Sequence, residues 1–223
     1  MQGIIQIAGI ADEAKAMMLV EAGVHQIGFL LGLPVHKEDI TAEDAANIIR
    51  LLKPPASAVL ITYLNMAETI LDLSKKIGVH KVQLHGRISL TEIDRLKSLD
   101  PDLTVIKSLI VESNNLAELE SSVGRFSFHC NAFIIDTYDP ATGACGATGK
   151  VHDWDISCRL IDISPKPVIL AGGLNPDNVR KAIAHVRPAG VDAHTGIEGS
   201  DGRKDAFLIR AFVREALAAF ADM

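Results

Sequence analysis

Short apolar segments alternate with helix-like segments along the whole 223-residue chain, and this alternation restricts the fold more than any other feature. Strands that are separated by helices pair in parallel, because each helix returns the chain to the same end of the sheet. The apolar runs are almost continuous, as expected for strands that are buried on both faces. The eight predicted strands are Ile4–Ala8, Gln26–Leu31, Ser57–Tyr63, Lys81–Leu84, Thr104–Leu109, Ala132–Asp136, Pro167–Ala171 and Gly190–Ala193.

Two α/β architectures fit this alternation, a closed (β/α)8 barrel and an open doubly wound sheet. A dinucleotide-binding open sheet carries a glycine-rich fingerprint after its first strand, whereas this chain continues as Ala8-Gly-Ile-Ala-Asp12. No stretch of the sequence has the composition of a linker between domains. The pattern therefore favours a TIM barrel that forms a single domain over residues 1–223.

Residues that accept hydrogen bonds follow several strands and predict where the helices begin. Asn65 with Glu68, and Ser89 with Glu92, have the spacing of a capping box. The predicted N-caps are Asp12, Thr41, Asn65, Ser89 and Asn175.

The composition argues against several classes of function. The net charge is −6, and the sequence shows no cluster of Lys and Arg of the kind that binding to a nucleic-acid backbone requires. No segment reaches the roughly 18 apolar residues of a membrane helix, so no membrane association is expected. Three cysteines without metal-ligand spacing are typical of a reduced cytoplasmic protein, and no cofactor or metal is predicted. The oligomeric state stays open.

In a barrel of this kind the chemistry lies where the strands end, because the following loops meet there. Gly172 and Gly173 follow the seventh predicted strand, and Thr195 and Gly196 follow the eighth. Glycines let backbone N–H groups approach an anion closely. We predict a phosphate site between these two strand ends; the alternative is that the glycines only relieve crowding in a turn.

Other polar residues at the strand ends are candidates for catalysis. Asp136 ends an apolar run, where burial favours the neutral form and suits a general acid; a helix cap or a partner for Lys107 is the alternative. Lys107 is a candidate for binding phosphate or an oxyanion, or an ordinary salt-bridge lysine. His85 is a candidate proton shuttle or a structural residue. The glycine-rich segment 143–149 is a candidate lid, or a surface loop.

Several motifs follow one another from the fourth strand to the last. They are Val82-Gln-Leu-His-Gly86, Val105-Ile-Lys107, Ile134-Ile-Asp-Thr137, Gly146-Ala-Thr-Gly-Lys150, Val168-Ile-Leu-Ala-Gly-Gly-Leu-Asn-Pro176 and Gly190-Val-Asp192 with Gly196-Ile-Glu198. In this order they resemble the phosphoribosylanthranilate isomerase family, barrel enzymes of tryptophan biosynthesis. The resemblance implies an Amadori rearrangement without cofactor, in which an aspartic acid opens the phosphoribosyl ring and a proton leaves C2 to give a ketose.

The resemblance also implies roles for individual residues. Asp136 occupies the position of the family's acid. Phosphate binding is implied at Gly172, Gly173, Thr195 and Gly196.

Two segments depart from the family's pattern. Members carry Lys-x-Cys-Gly-Ile-Thr at the end of the first strand, where the cysteine is the general base, whereas this chain reads Gln6-Ile-Ala-Gly-Ile-Ala11. Ala8 cannot accept a proton. The turn with the arginine that holds the anthranilate carboxylate is replaced here by Leu33–Glu38.

A base in another position is therefore expected if the chain is an isomerase. The candidates, with His194 ranked first, are His194, His85, Asp12, Asp192 and Cys145. His85, Asp136, His194 and Glu198 do not have the spacing of a known metal site.

Three functions are compatible with this sequence, and in each the ligand is a small phosphorylated sugar. The first is an isomerase or epimerase of a sugar phosphate other than phosphoribosylanthranilate, since the acid and phosphate positions are kept while the base and the aromatic-acid contact are lost. The second is an active phosphoribosylanthranilate isomerase with a relocated base. The third is a protein that binds a phosphate ligand without catalysis.

Overall fold

The chain folds around a barrel of parallel strands, described in a computed structural model for residues 3–33, 40–139, 144–145, 149 and 151–223. The strands are β1 (Ile4–Ala8), β2 (Gln26–Leu30), β3 (Ser57–Thr62), β4 (Lys81–Leu84), β5 (Thr104–Val111), β6 (Ala132–Asp139), β7 (Ala144–Cys145), β8 (Val168–Leu170) and β9 (Gly190–Ala193). The helices are α1 (Glu13–Glu21), α2 (Ala42–Ile49), α3 (Ala67–Ile77), α4 (Leu90–Leu99), α5 (Leu116–Phe126), α6 (Trp154–Ile163), α7 (Val179–Val186) and α8 (Ala206–Ala221), with a short 3-10 helix at Thr195–Ile197.

Eight of these strands close into the barrel that the alternation predicts. Their order is β5-β4-β3-β2-β1-β9-β8-β6, and a further pairing of β5 with β6 completes the circle. The two-residue strand β7 pairs antiparallel with the end of β6 and lies outside the circle. The prediction of a (β/α)8 barrel is confirmed, and each of the eight predicted strands overlaps one barrel strand.

Two apolar layers hold the barrel together. The larger layer lies between the strands and the helices, and includes Ile5 and Ile7 of β1. The smaller layer fills the centre of the barrel, where Ala8, Ile61 and Ile134 pack together. Because strand side chains alternate between the two layers, the parity of a residue in its strand decides which layer it enters.

The predicted helix starts are confirmed where the cap is local. Asp12, Thr41 and Ser89 each accept a hydrogen bond from a backbone N–H three residues further on. Asn65 is not an N-cap: α3 begins after Met66, and the N–H of Ala67 donates to Glu92 Oε2 of α4 at 2.7 Å. A neighbouring helix therefore supplies the cap that the local spacing assigned to Asn65.

Asn175 is likewise part of a turn before a helix. Its side chain accepts from the N–H of Asp177 at 2.9 Å, and α7 begins only after Asn178. Among the helices of the described ranges, none combines the length and the hydropathy needed to cross a membrane.

Candidate active site

Two buried carboxyl groups lie at the carboxyl ends of barrel strands and line one cavity. Asp136 on β6 is 5% exposed and Asp192 on β9 is 7% exposed. We call this space the strand-end cavity; it is lined by Asp136, Gly149, Gly172, Gly173, Leu174, Asp192, His194, Thr195 and Gly196. The structure thus brings the predicted acid together with all four residues of the predicted phosphate site.

The glycines of this cavity are needed for its shape. Gly172 and Gly173 follow β8 with φ of +86° and +63°, the left-handed region that favours glycine. Gly196 lies so close to the carbonyl oxygen of Leu174 that a Cβ would overlap it. Asn178 fixes the turn, since its Nδ2 donates to the Gly173 carbonyl at 3.0 Å. A turn of this kind presents backbone to a ligand at close range, which suits an anion.

The acid residue Asp136 sits in a network that the sequence did not reveal. Its Oδ1 accepts from the N–H of Thr137 at 2.8 Å. The Thr137 hydroxyl is 2.9 Å from Nδ1 of His152, and Nε2 of that histidine is 2.6 Å from the Ser157 hydroxyl on α6. Burial lowers the pKa of His152 to about 4, so its ring is neutral at pH 7. His152 therefore connects Thr137, the residue next to Asp136 on β6, to Ser157 on α6.

Asp192 is the group in the cavity whose protonation is shifted toward neutral pH. Burial, and next the negative charge of Asp136, raise the pKa of the Asp192 carboxyl to about 7. A hydrogen bond from the Gln6 side chain and the positive charge of Lys204 act in the opposite direction. Gln6 lies opposite Asp192 in the register of β1 with β9.

Gln6 also belongs to a row of polar groups across the barrel centre. Its Nε2 donates to Gln83 Oε1 at 2.8 Å, and Gln83 Nε2 is 2.7 Å from His85 Nε2. His85 is placed beside Tyr63, with ring centroids 5.7 Å apart. His85 is not among the residues of the strand-end cavity, so the structure does not bring this candidate to Asp136.

Lys107 lies away from the predicted phosphate site. Its ammonium group donates to the carbonyl oxygens of Ser108 at 3.0 Å and Leu84 at 3.3 Å, and lies 5.8 Å from the centre of the Phe126 ring of α5. Burial lowers its pKa to about 8. It lines a separate cavity beside α5, together with His85 and Asn115. The prediction that Lys107 contacts the phosphate receives no support from this position, because its side chain points from β5 to the helix layer.

His194 is held at the edge of the strand-end cavity, between β9 and the start of the loop after β1. Its Nε2 lies against Gly9, where any Cβ would overlap the imidazole. Its Nδ1 is 3.6 Å from Glu198 Oε1, and Lys204 donates to that same carboxylate oxygen at 2.7 Å. Burial, and next the positive charge of Lys204, lower the pKa of His194 to about 3.

Ala8 adds nothing to the acid–base chemistry. It is 4% exposed and packs in the central layer of the barrel against Ile61 and Ile134. The segment Leu33–Glu38, which stands where the family has the arginine turn, is described only at Leu33, because residues 34–39 lie outside the described ranges. Of the candidate lid, residues 143 and 146–148 also lie outside them, whereas Gly149 lines the strand-end cavity.

The four residues weighed as a metal set do not share one cavity. Asp136 and His194 line the strand-end cavity, while His85 lines the cavity beside α5. Within the described ranges, one other group offers three ligand types at close range, namely Asp155, Cys158 and His185 on α6 and α7. None of these three lines the strand-end cavity.

A closed barrel with a polar, acid-containing cavity at its strand ends defines the class of protein as a (β/α)8-barrel enzyme. The family model for N-(5'-phosphoribosyl)anthranilate (PRA) isomerase matches residues 5–215. The chain belongs to the N-(5'-phosphoribosyl)anthranilate isomerase family, as its motifs indicate.

Individual relatives match over nearly their whole length. N-(5'-phosphoribosyl)anthranilate isomerase 2 of Methanosarcina mazei is 38% identical over 213 residues, covering 95% of this chain and 93% of the relative. The enzyme of Haloferax volcanii is 32% identical and covers 96% and 93%.

Solved structures of the family have the same fold. The crystal structure of phosphoribosylanthranilate isomerase from Thermotoga maritima has a TM-score of 0.82 at 31% identity, covering 98% of this chain and 100% of that one. A second structure, at TM-score 0.80 and 30% identity over the same shares of both chains, holds reduced 1-(o-carboxyphenylamino)-1-deoxyribulose 5-phosphate.

Proposed function

We propose that this chain isomerises N-(5'-phosphoribosyl)anthranilate to 1-(o-carboxyphenylamino)-1-deoxyribulose 5-phosphate. One observation carries the proposal: Asp136 and the glycine turns after β8 and β9 line the same cavity in a chain that matches the family over residues 5–215. The substrate is a small phosphorylated sugar derivative, and the reaction belongs to tryptophan biosynthesis in the cytoplasm.

In the proposed reaction Asp136 is the general acid. Its carboxyl group gives a proton to the ring oxygen of the phosphoribosyl group, the bond from C1 to that oxygen breaks, and the nitrogen lone pair forms an iminium. Burial of Asp136 at 5% exposure excludes the bulk water that would otherwise compete for this proton. The hydrogen bond from Thr137, which His152 holds in place, orients the carboxyl group.

The phosphate is assigned to the other side of the same cavity. Backbone N–H groups at Gly172, Gly173, Thr195 and Gly196 are proposed to hold it, and their closeness to Asp136 fixes the sugar ring over the acid. Gly149, the last residue of the candidate lid segment, lines the cavity as well.

The replacement of the family's cysteine by Ala8 raises the question of a changed substrate. The loss of the cysteine and of the arginine turn, taken alone, favours an isomerase of another sugar phosphate. Matches at 38% and 32% identity to named PRA isomerases give that interpretation no support. We therefore favour the second interpretation, an active PRA isomerase whose base comes from another residue.

The test is the turnover of phosphoribosylanthranilate by the purified protein. Consumption of the substrate removes the anthranilate-type fluorescence, and the Asp136→Asn variant should lose this activity by about 10²–10⁴-fold. Thermal stabilisation by the substrate without turnover would indicate a binding protein instead. Deuterium exchange beside the carbonyl of another sugar phosphate, with no turnover of phosphoribosylanthranilate, would restore the changed substrate.

A further inference from the structure

We propose that Asp192 is the general base of this chain and removes the proton from C2 of the substrate. The proposal rests on the proposed function, and it identifies the residue that replaces the missing cysteine. It differs from the expectation that ranks His194 first.

The position of Asp192 suits this role. It lies on β9, the barrel strand that pairs with β1, and it faces Gln6 in their register. Ala8, at the position of the family's cysteine, is two residues further along β1 and therefore on the same side of the strand as Gln6. The Asp192 carboxyl group thus comes from the strand next to the lost base and enters the cavity that holds Asp136.

Asp192 also has an oxygen to offer. Asp192 is only 7% exposed. Within the described residues its Oδ1 has no hydrogen-bond partner. Burying a carboxylate oxygen without a hydrogen-bond partner costs free energy. A group that keeps such an oxygen at the wall of a ligand cavity is positioned to take a proton from the ligand.

Burial, and next the negative charge of Asp136, bring the pKa of Asp192 close to neutral pH. The charged groups that act on Asp192 are Asp136 from β6 and Lys204 from the segment before α8. His194 lines the same cavity, and its Nδ1 lies 3.6 Å from Glu198 Oε1. Lys204 is shared with the Glu198 carboxylate and the His194 carbonyl, at 2.7 and 2.8 Å. With a pKa of about 7, Asp192 is half ionised at the pH where a base is most effective.

Gln6 explains why this tuning is possible in this chain. The family has a lysine at that position, opposite the strand that carries Asp192. The hydrogen bond from the Gln6 amide favours the ionised carboxylate of Asp192, but it brings no full positive charge and therefore opposes the effect of burial less than an ammonium group would. The two replacements in the first strand, at Gln6 and at Ala8, are therefore consistent with one change of mechanism.

The other candidates are less suited to accept the proton. His194, with a pKa of about 3, is a far weaker base than Asp192. Asp12 caps α1 and accepts from the Lys15 N–H at 2.8 Å. His85 bonds to Gln83 away from the strand-end cavity, and the side chain of Cys145 lies outside the described residues.

The step is balanced without a cofactor. After ring opening, the Asp192 carboxylate takes the C2 proton, and the electron pair of that C–H bond forms a double bond between C1 and C2. The electron pair of the iminium double bond returns to nitrogen, which gives an enol amine. Ketonisation at C2 then yields the product, with protons returned to C1 and released from the C2 hydroxyl.

The experiment compares wild-type protein with Asp192→Asn, His194→Asn and the double variant Ala8→Cys/Asp192→Asn. Turnover of phosphoribosylanthranilate is followed by fluorescence, and thermal stabilisation by inorganic phosphate serves as the control for folding and for the phosphate site. We expect Asp192→Asn to lower kcat by about 10²–10⁴-fold with the phosphate effect kept. His194→Asn should lower kcat less. The added cysteine should restore at least tenfold of the loss and make the restored activity sensitive to iodoacetamide.

A second measurement does not depend on the folding of any variant. The kcat/KM of the wild-type protein should fall on the acidic side with a midpoint near pH 7, because only ionised Asp192 accepts the proton. Activity of Asp192→Asn within threefold of the wild type, or a larger loss in His194→Asn, overturns the assignment and leaves the proposed function standing. Wild-type protein that binds phosphate but never consumes phosphoribosylanthranilate overturns both.

Discussion

The hydroxyl of Thr137 lies directly against the Cα of Gly172, so that its Oγ1 fills the space that a Cβ on residue 172 would need. This contact joins the strand that carries Asp136 to the turn assigned to the phosphate. It makes the two halves of the candidate site dependent on one another.

Gly172→Ala should therefore damage the site beyond the strain of its backbone. The added methyl group must displace Thr137, which orients Asp136, and we expect a loss of kcat/KM of at least 100-fold together with weaker stabilisation by inorganic phosphate. Gly78→Ala is the matched control, since Gly78 has a similar positive φ of +79° but no atom within 4 Å of its added Cβ. Equal losses of activity in both variants would contradict the prediction.

His152 should make stability fall as the pH falls. Its pKa is about 4 in the folded protein and 6.5 as a free side chain, so below pH 6.5 the unfolded chain takes up a proton that the folded protein does not. His152→Gln removes this pH dependence of the free energy of unfolding. It also takes the imidazole partner away from the Thr137 and Ser157 hydroxyls. We expect the variant to be less stable by about 1–3 kcal/mol at pH 7.5.

The difference between His152→Gln and wild type should narrow on acidification. From pH 6.5 to pH 5 the gap closes by up to about 2 kcal/mol, as measured by urea unfolding at both pH values. A gap that stays constant would show that the histidine is protonated in the folded protein at pH 5.

The strands could be predicted because most of them are short, largely apolar runs between helix-like segments, and β1, β4 and β9 have the predicted bounds. Helix starts were predictable where the cap is local, as at Ser89. They were not at Asn65, because the acceptor for the first helical N–H comes from Glu92 on another helix, 25 residues away. Contacts of this kind depend on packing that no local spacing encodes.

The residues of the candidate site also fall into those that the sequence could identify and those that it could not. Asp136 and the glycines could be found from the rule that barrel chemistry lies at strand ends. Lys107 could have been placed correctly by parity, because its neighbours on the same face, Val105 and Leu109, belong to the layer under the helices. His152 gave no signal in the sequence, because its contact with Thr137 joins two residues that are 15 positions apart and that no local spacing relates.

Asp192 should make the protein less stable as the pH rises through the range from 3.8 to 7. In that range the folded protein keeps a proton that the unfolded chain has released, so stability is fully present below pH 3.8 and is lost by pH 7. Asp192→Asn should be more stable than wild type at pH 8, by an amount on the order of 1–4 kcal/mol, with the difference shrinking toward pH 4. Urea unfolding at pH 4.5 and pH 8 measures this, and a less stable variant at pH 8 would refute it.

Lys107→Met separates a structural lysine from a ligand-binding one. The ammonium group donates to the carbonyl oxygen of Leu84 at the end of β4 and to that of Ser108 within β5, and its removal takes away these bonds of 3.3 and 3.0 Å. We expect a loss of about 1–3 kcal/mol in the free energy of unfolding. The KM for phosphoribosylanthranilate and the stabilisation by inorganic phosphate should stay unchanged, because Lys107 does not line the strand-end cavity. A tenfold rise in KM with normal stability would mean that the lysine reaches the phosphate during turnover, and Gly78→Ala again controls for a general loss of stability.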